Sequence, residues 1–586
     1  MNLTPQQKAT GRENFNTVMG EQLSGESRRD FIKKGILGGV VSGAGLGGFY
    51  YGYSQTLPKP VRVAVLGTGD EGSVLIGALN PAFHEVVAIA DIRPYSVYRA
   101  FHGDWYSEPA HKARPGLMSR YGWKSEDEAR KHVKVYSDYR ELLQNEKDIE
   151  AVIIALPLHL HAPAAVAALQ RGKHVLTEKL MAQTVHECKE MARVAEEMKL
   201  YLAVGHQRHY NVLYDNAKEM IRSGLLGDLH YVRAQWHRGN LPGNDSWSQP
   251  LPPGVKTKEE DKNFDRLARE LKSWEKELER TTDAVAAVTL RQRIEQKKKQ
   301  IEDIVLHTPA KDQKSAKDFG YQDMEVKDGA GKVIYNRPAI EELIRWRLWN
   351  RTSAGLMAEL GSHQLDAASI FVAAAHGGEK QLPLSVAAAA GRPLFPADRE
   401  VEDHVYCIIE FPAPGYDPKD EMARRKKIGV QYASINGNGF GGYGEVVFGT
   451  KGTLIIEKEL EAMLYKDADT ESKVGVKSSK GGAPTLDTQA SGAAPQAAGV
   501  GAIASANVSR GYAEQLEHWA WCVRNPSPDH QPHCTPKVAM GDAIIALVTN
   551  MAAQQGARVE FKPEWFDPKS DATPEGVKPD TGRYKS

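Results

Sequence analysis

Three glycines and a later carboxylate are spaced for binding a dinucleotide. The glycines of the stretch GTGDEG follow the apolar run 61–66 with G-x-G-x-x-G spacing, which gives a tight turn and lets the backbone approach a pyrophosphate. Asp91 stands about twenty residues further on, where a carboxylate accepts hydrogen bonds from ribose hydroxyls. Asp91 would repel a 2′-phosphate and so favours NAD, although Arg93 keeps NADP open. The turn residues expected to bind the cofactor are Gly67, Thr68, Gly69, Asp70, Glu71 and Gly72.

A second segment places three ionisable residues on one face of a predicted helix. Glu359, His363 and Asp366 are four and three residues apart, so their side chains point the same way. They stand beside the apolar Leu360 and Ile370, which indicates the wall of a pocket. A lone histidine on such a helix is more often a core or surface group, so the spacing alone assigns no activity.

Alternating strands and helices must position these groups. Apolar strands are predicted at 61–66, 86–90, 151–156 and 173–179 with helices between them, which is typical of a doubly wound parallel sheet and an α/β fold. In open sheets of this kind, ligands bind at the carboxyl edge of the strands. The further cofactor-binding residues predicted at that edge are Leu156, Pro157, His161, Glu178 and Lys179.

The stretches GTGDEG, ALPLHLHAPAAVAAL and GKHVLTEK resemble those of the Gfo/Idh/MocA oxidoreductase family, over about residues 61–239 and 343–456. The resemblance implies a Rossmann-type NAD(P)-binding domain followed by an α+β domain with a large open, mainly antiparallel sheet. It also implies that Glu359, His363 and Asp366 act on the substrate together with Lys179. Two positions depart from the family pattern, because Leu180 replaces a common proline and Glu359 replaces a common aspartate.

These four residues suit hydride transfer. An imidazole that titrates near neutrality can accept the proton of a hydroxyl while hydride leaves its carbon for nicotinamide, so His363 is predicted to be the base. Lys179 would donate to the same oxygen or relay the proton. Asp366 would orient His363 or bind a neighbouring sugar hydroxyl. Glu359 retains the acidic charge, but its longer side chain displaces the carboxylate.

Composition excludes several other classes of protein. Lys+Arg and Asp+Glu both total 75, so the formal charge of zero gives no indication of a nucleic-acid partner. The 41% hydrophobic content of the 586 residues indicates a globular chain of several packed units. The four cysteines are far apart without C-x-x-C spacing, so neither a metal site nor a disulfide framework is predicted.

An export signal is predicted near the N-terminus. Residues 27–33, SRRDFIK, precede a Gly-rich apolar run at 35–53, and together they resemble a twin-arginine signal, which is read by the machinery that exports folded proteins. A periplasmic protein that binds its cofactor before export is therefore expected. The run is not followed by an A-x-A-like cleavage site, so it could persist as a membrane anchor.

The second domain contains a long insertion. Residues 259–305 are dense in charge with leucines at helical spacing, which predicts an αα-hairpin that either lies in solvent or docks as an arm. Arg208 and His209, in a polar loop, are candidates for the substrate pocket or for a surface cap. The predicted units are the signal and linker 1–57, the Rossmann domain 58–199, the substrate and oligomerisation domain 200–567 with its insertion at about 245–338, and a loose tail 568–586.

The sequence thus predicts an exported, homo-oligomeric NAD-dependent oxidoreductase acting on a sugar, polyol or related carbohydrate. A glycosidase that keeps its NAD and oxidises the sugar transiently would use the same residues and stays open. A non-catalytic carbohydrate-binding or scaffold protein is a third hypothesis, which Lys179, His363 and Asp366 disfavour.

Overall fold

The computed structural model describes residues 3, 5–22, 57–255, 265–466, 475–478, 484–487 and 510–584. The predicted twin-arginine signal and its apolar run lie outside these residues, as does most of the segment 473–505, predicted to be a mobile loop. Helix α1 (Pro5–Gln22) precedes the signal. Among the described helices, none combines the length and apolar character needed to cross a bilayer.

The first unit is built on a six-stranded parallel sheet with strand order β3-β2-β1-β4-β5-β6. The central strand pairs on both sides, with β2 and with β4, so the chain reverses direction across the sheet there and leaves a crevice at the carboxyl ends of the strands. This confirms the doubly wound fold predicted from the alternating pattern. The strands are β1 (Val61–Leu66), β2 (His84–Ala90), β3 (Lys134–Tyr136), β4 (Ala151–Ile154), β5 (His174–Glu178) and β6 (Leu202–Gly205).

Helices cover both faces of this sheet. Several begin with the capping residues that their sequences favour: Ser125, Asp138 and Thr184 each accept a backbone N–H from the first turn. The helices of the first unit are α2 (Asp70–Ala78), α3 (Pro94–His102), α4 (Glu108–Ala113), α5 (Gly116–Tyr121), α6 (Glu126–His132), α7 (Tyr139–Asn145), α8 (His161–Leu169) and α9 (Val185–Met198).

The second unit is an eight-stranded sheet with strand order β15-β14-β13-β7-β12-β11-β10-β18. Every neighbouring pair is antiparallel except β7 and β12, which confirms the predicted open, mainly antiparallel sheet. Its strands are β7 (Leu229–His237), β10 (Ser385–Gly391), β11 (His404–Pro412), β12 (Lys427–Ile435), β13 (Tyr443–Gly449), β14 (Gly452–Glu457), β15 (Glu461–Lys466) and β18 (Val559–Glu560). A separate hairpin pairs β16 (Gly475–Ser478) with β17 (Pro484–Asp487).

Helices tie the second unit to the first. Leu516 and Trp519, on the first of the two C-terminal helices, are buried in the same core as β1. The helices other than the insertion are α10 (Val212–Arg222), α13 (Ala339–Ile344), α14 (Ser362–Ala375), α15 (Tyr512–Arg524) and α16 (Pro536–Gln555).

The insertion forms the predicted hairpin, with α11 (Arg266–Arg280) and α12 (Ala284–Glu302) joined by three residues. It is a docked arm, not a solvated excursion, because α12 lies along α3 of the first unit. Two strands not predicted from the sequence, β8 (Met324–Lys327) and β9 (Val333–Arg337), complete the insertion.

Both chain ends described here are more ordered than their composition suggests. In α1, Asn14 donates to the carbonyl oxygen of Leu464 at 3.0 Å, and Phe15 is buried, so this helix packs on β15. The prediction of a loose tail after 568 is wrong. The fully buried Lys189 donates to carbonyl oxygens of Ser570 and Ala572, at 3.0 and 2.7 Å, and so fixes the tail on α9.

Candidate active site

A cavity of about 240 Å³ lies at the carboxyl edge of the parallel sheet, where the insertion and the segment after α13 close over it. Most of the predicted cofactor residues line it, and Lys179 and Glu359 meet on its wall. The sequence-predicted residues on the wall are Gly67, Gly69, Asp70, Glu71, Asp91, Arg93, Leu156, Pro157, His161, Glu178, Lys179 and Glu359. Thr68 is fully buried behind the turn, as is Gly72.

The glycine turn fits a dinucleotide. Gly67 has φ +85°, and a Cβ there would lie 2.5 Å from the carbonyl oxygen of Ala155, so only glycine suits the position. A Cβ on Gly72 would lie 2.1 Å from the carbonyl oxygen of Gly67. Gly69 instead opens to free space, and it caps α2 without any side-chain hydrogen bond. The first N–H groups of α2 are therefore left for a diphosphate.

Asp91 links the glycine turn to the end of β2. The backbone N–H of Thr68 donates to Asp91 Oδ2 at 2.8 Å, and that of Arg93 donates to Oδ1 at 2.9 Å. The Thr68 hydroxyl also donates to Oδ2, at 3.2 Å. A carboxylate accepts about four hydrogen bonds, so these three leave capacity for a ribose hydroxyl. The geometry therefore suits the cofactor-binding role predicted for Asp91.

His161 connects the loops that follow β4 and β5. Its ring nitrogens lie 2.8 and 2.9 Å from the carbonyl oxygens of Leu180 and Leu156, and burial lowers the pKa of the ring. Because both nitrogens are directed at the backbone, His161 holds the two loops in register. Its position on the cavity wall thus makes it a positioning residue for Lys179.

Lys179 reaches from the first unit into the second. Its Nζ donates to the carbonyl oxygen of Glu359 at 2.8 Å. Glu359 lies in a π-helical turn, Met357–Gly361, which runs directly into α14. Such turns are rare and are found frequently at functional sites. The lysine is thus fixed one turn before His363.

His363 is a buried, neutral imidazole with one enclosed, unpartnered nitrogen. It is 8% exposed, and its Nδ1 has no hydrogen-bond partner among the described residues. Burial lowers the pKa of His363 well below its usual value, and the positive charges of Lys179 and Arg208 lower it further. Its ring lies 5.5 Å from that of Trp236. A neutral ring with an unused nitrogen can accept a proton.

The carboxylate of Glu359 is paired with Arg347, a cation that the sequence analysis did not identify. This carboxylate accepts a hydrogen bond from Arg347 Nε at 2.7 Å. Burial raises the pKa of Glu359, but Arg347 and Lys179 more than offset this effect and hold it below its usual value. The carboxylate is therefore ionised and paired, and its backbone carbonyl binds the lysine, so the structure favours a positioning role over proton transfer.

Asp366 contacts different histidines from the one predicted. It accepts a hydrogen bond from His209 Nε2 at 2.7 Å, and His206 lies 3.6 Å from its other oxygen. Burial raises the pKa of Asp366, but His209 and His206 more than offset this effect and hold it below its usual value. His363 lies on the same helix, yet its Nδ1 is unpartnered, so the structure does not support the prediction that Asp366 orients it.

The same cluster has metal-ligand types but already contains a cation. Ligand atoms of His209, Asp366 and Asp542 lie within 4.8 Å of one another. Lys380 Nζ donates to both carboxylate oxygens of Asp542 at 2.9 Å. The Lys380 ammonium group thus supplies the positive charge that a metal ion would bring, and the cluster is a buried ion network. His209 is held in this network and not at the cavity wall.

Arg208 does not bind substrate in this structure. The side chain is 1% exposed and pairs with Glu445 and Glu459, each at 2.8 Å. It also donates to the backbone carbonyl oxygen of His363 at 2.6 Å. The prediction that Arg208 lines the substrate pocket is therefore wrong. Arg208 is a buried cation that fixes the helix carrying His363.

Sequence reasoning also missed residues around His363. Trp236 stacks on Tyr443 with ring centroids 4.3 Å apart, and Arg238 lies over the Trp236 ring at 5.8 Å. Trp236 lies near the end of β7 and Arg238 directly follows that strand, so the end of β7 places both side chains. Phe319 and Tyr321 of the insertion line the cavity, but no pattern in the sequence indicates this.

Comparison with known proteins agrees with this geometry for the first unit. Residues 61–206 match the Gfo/Idh/MocA family, described as an oxidoreductase family with an NAD-binding Rossmann fold. The match covers the parallel sheet and the glycine turn. The first unit is therefore an NAD-binding Rossmann domain.

Relatives match over the same part of the chain. An inositol 2-dehydrogenase of Salmonella paratyphi B is 36% identical over 108 residues, which are 18% of this chain and 32% of the relative. A glycosyl hydrolase family 109 protein of Stenotrophomonas maltophilia is 31% identical over 207 residues, 34% of this chain and 41% of the relative. The chain thus spans less than half the length of the curated relatives it matches.

Among solved structures, a levoglucosan dehydrogenase in complex with NADH and levoglucosan superposes with a TM-score of 0.48 and 16% identity, covering 86% of this chain and 99% of that one.

Proposed function

We propose that the protein is an NAD-dependent oxidoreductase that transfers hydride between a carbinol of a sugar or polyol and nicotinamide. One observation carries the proposal: a neutral His363 with an unpartnered nitrogen lies one turn from the Lys179–Glu359 contact on the wall of an NAD-binding crevice. Oxidation of a carbinol needs a proton acceptor and a cation at the same oxygen, and these two residues supply them.

The protein's own residues supply position and proton transfer. When bound, NAD accepts hydride from the substrate carbon. The His363 imidazole accepts the hydroxyl proton, while the Lys179 ammonium stabilises the negative charge that develops on the oxygen. Glu359 holds Lys179 through its carbonyl and Arg347 through its carboxylate, so neither cation has to reorganise during the reaction.

A carbohydrate fits the surroundings of His363. Trp236 and Tyr443 give a flat apolar surface and Arg238 gives hydrogen-bond donors, a combination that suits a ring with one apolar face and several hydroxyls. The inositol dehydrogenase among the relatives is named for a polyol of this class. A panel of sugars and polyols, monitored at the absorbance of reduced nicotinamide, tests the proposal.

A glycosidase that uses its NAD transiently is the second candidate, and the glycosyl hydrolase family 109 relative favours it. Such an enzyme would release a sugar from a glycoside without net reduction of NAD. Net reduction with a free polyol, and no release of sugar, would exclude it. A binding protein without activity would produce neither signal, and Lys179→Met would then change nothing.

Export and assembly are part of the proposal. We propose that the twin-arginine machinery exports the folded protein to the periplasm, and Arg28→Lys with Arg29→Lys should retain it in the cytoplasm.

For the homo-oligomer, the candidate surface is the outer face of the large sheet, where Tyr406 and Ile408 are 47% and 45% exposed. Ile408→Lys should reduce the mass measured by light scattering, whereas an unchanged mass would place the interface elsewhere.

A further inference from the structure

The insertion is fixed to the cofactor domain by polar contacts along α12. Gln296, 5% exposed, donates to Asp104 at 2.9 Å and accepts from the backbone N–H of Trp105 at 2.6 Å. Arg293 donates to the carbonyl oxygen of Trp105 at 3.0 Å. These contacts hold α12 on the segment that follows α3, and Gln296 also donates to the hydroxyl of Tyr95, near the start of α3, at 3.3 Å.

Asp303, the residue after α12, is buried at that point. Its Oδ2 accepts from Arg93 Nε at 2.9 Å and lies 2.8 Å from a second guanidinium nitrogen, and its Oδ1 accepts from the backbone N–H of Tyr95 at 3.1 Å. The side chain of Asp303 is 0% exposed. The insertion thus caps α3 and neutralises Arg93 with one carboxylate.

Arg93 is the residue through which NADP could be recognised. It lines the cavity two residues after Asp91, and in this fold an arginine near the acidic residue accommodates a 2′-phosphate. Here Asp91 accepts the backbone N–H of Arg93 at 2.9 Å, and Asp303 binds the Arg93 guanidinium, 2.8 Å from one of its nitrogens. The two carboxylates outweigh the single cation, so this end of the crevice has a net negative charge. That charge disfavours the binding of a 2′-phosphate.

The other arginines on the described part of the cavity wall are paired as well, so none of them substitutes for Arg93. Each guanidinium lies within 2.9 Å of a carboxylate. The pairs are Arg99–Asp70, Arg140–Asp138 and Arg347–Glu359.

We propose that Asp303 is a specificity-determining residue: by sequestering Arg93 it makes the crevice select NAD over NADP. The inference rests on the proposed function only for the presence of a nicotinamide cofactor. The acid comes from an insertion more than two hundred residues away in the chain, so the selectivity is set by how the hairpin docks.

Competition between the two nucleotides tests this directly. The purified protein is equilibrated with NAD and NADP together, separated from free nucleotide, and denatured so that both bound species can be quantified by chromatography. In Asp303→Asn the bound NADP:NAD ratio should rise by about tenfold or more, because a charged hydrogen-bonding group is freed for the phosphate. Glu302→Gln, which removes the neighbouring exposed charge, is the matched control and should keep the native ratio.

Arg93→Met completes a double-mutant cycle with Asp303→Asn. Added to Asp303→Asn, it should return the ratio to the native value, and alone it should leave the ratio unchanged. A folded Asp303→Asn protein with the native ratio would overturn the inference, as would native protein that already retains NADP. If Asp303→Asn does not fold, Arg93→Met decides: a bound NADP:NAD ratio below the native ratio would show that Arg93 already recognises the 2′-phosphate and is not sequestered. A protein that selects NAD in this way but oxidises no carbohydrate would refute only the proposed function.

Discussion

At the scale of single residues, the proposal depends on His363 being neutral. Burial lowers its pKa below 6.5, and Lys179 lowers it further, so the base stays unprotonated as the pH falls through 6.5. For the oxidation direction, kcat/KM should therefore be constant from neutral pH to below 6.5, and should decline only at more acidic pH.

A pH series of initial rates measures this. Lys179→Met removes one positive charge near the imidazole and so raises the pKa of His363. The acidic limb of the residual activity should therefore lie at a higher pH than in the native protein. A native acidic limb centred at 6.5 or above would contradict the assignment of His363 as a buried base.

Arg208 gives a prediction that separates structure from substrate binding. Arg208→Met would leave Glu445 buried without its cation and Glu459 with Arg510 alone, which should lower the free energy of unfolding by about 3–5 kcal/mol. Urea unfolding measures this, and adding Glu445→Gln should recover part of the loss. Unchanged stability with a raised KM would instead restore the substrate-binding role predicted from the sequence.

Residue types and spacing predicted some of the site and not the rest. The glycine turn, Asp91, Lys179 and Glu359 lie on the predicted crevice because strand ends and short motifs determine their places. Asp366 shares a helix face with His363, but helical spacing does not specify what lies opposite. The partners of Asp366, His209 and His206, come from another element.

At the scale of elements, apolar periodicity predicted four of the six strands of the parallel sheet. Lys134–Tyr136 was not predicted, and the predicted domain boundary at 199/200 placed Leu202–Gly205 in the second unit although it pairs with β5 of the first. Val61–Leu66 has the bounds expected from the sequence. Four strands of the large sheet were not predicted, among them the short Glu461–Lys466 and Val559–Glu560. Ser385–Gly391 is a run of small residues with little alternation, and Tyr443–Gly449 begins in a glycine-rich stretch that resembles a turn. Both form strands because neighbouring strands pair with them.

The C-terminal tail is an element whose role the sequence hides. Its backbone carbonyls are the partners of Lys189, a buried ammonium on α9, and composition cannot indicate such a contact. Deletion of 568–586 should lower the free energy of unfolding by about 3 kcal/mol, because a buried charged donor loses acceptors. Thermal or urea unfolding tests this.

A second substitution checks the cause. Lys189→Met in the shortened chain should recover part of the lost stability, since the unsatisfied ammonium is removed. Loss of stability that the substitution does not relieve would mean that the tail acts through other contacts, such as Arg193 with Pro568.

At the scale of the whole molecule, the site is made by two units and an insertion together. The parallel sheet supplies the crevice and Lys179, the second unit supplies Glu359 and His363, and the insertion closes the cavity with Phe319 and Tyr321. The two-unit architecture followed from the alternation of elements and the family resemblance. The docking of the insertion could not be predicted in this way, because its contacts are polar pairs between residues that are distant in sequence.

The most direct test is a single-turnover measurement. NAD-loaded protein is mixed with a sugar or polyol that it oxidises, and the absorbance of reduced nicotinamide is followed in the native protein, Lys179→Met, His363→Gln and the exposed control Lys298→Met. The account predicts that the first two variants bind NAD normally but form reduced nicotinamide at least about 100-fold more slowly, while the control matches the native rate. Native rates in Lys179→Met and His363→Gln would contradict it.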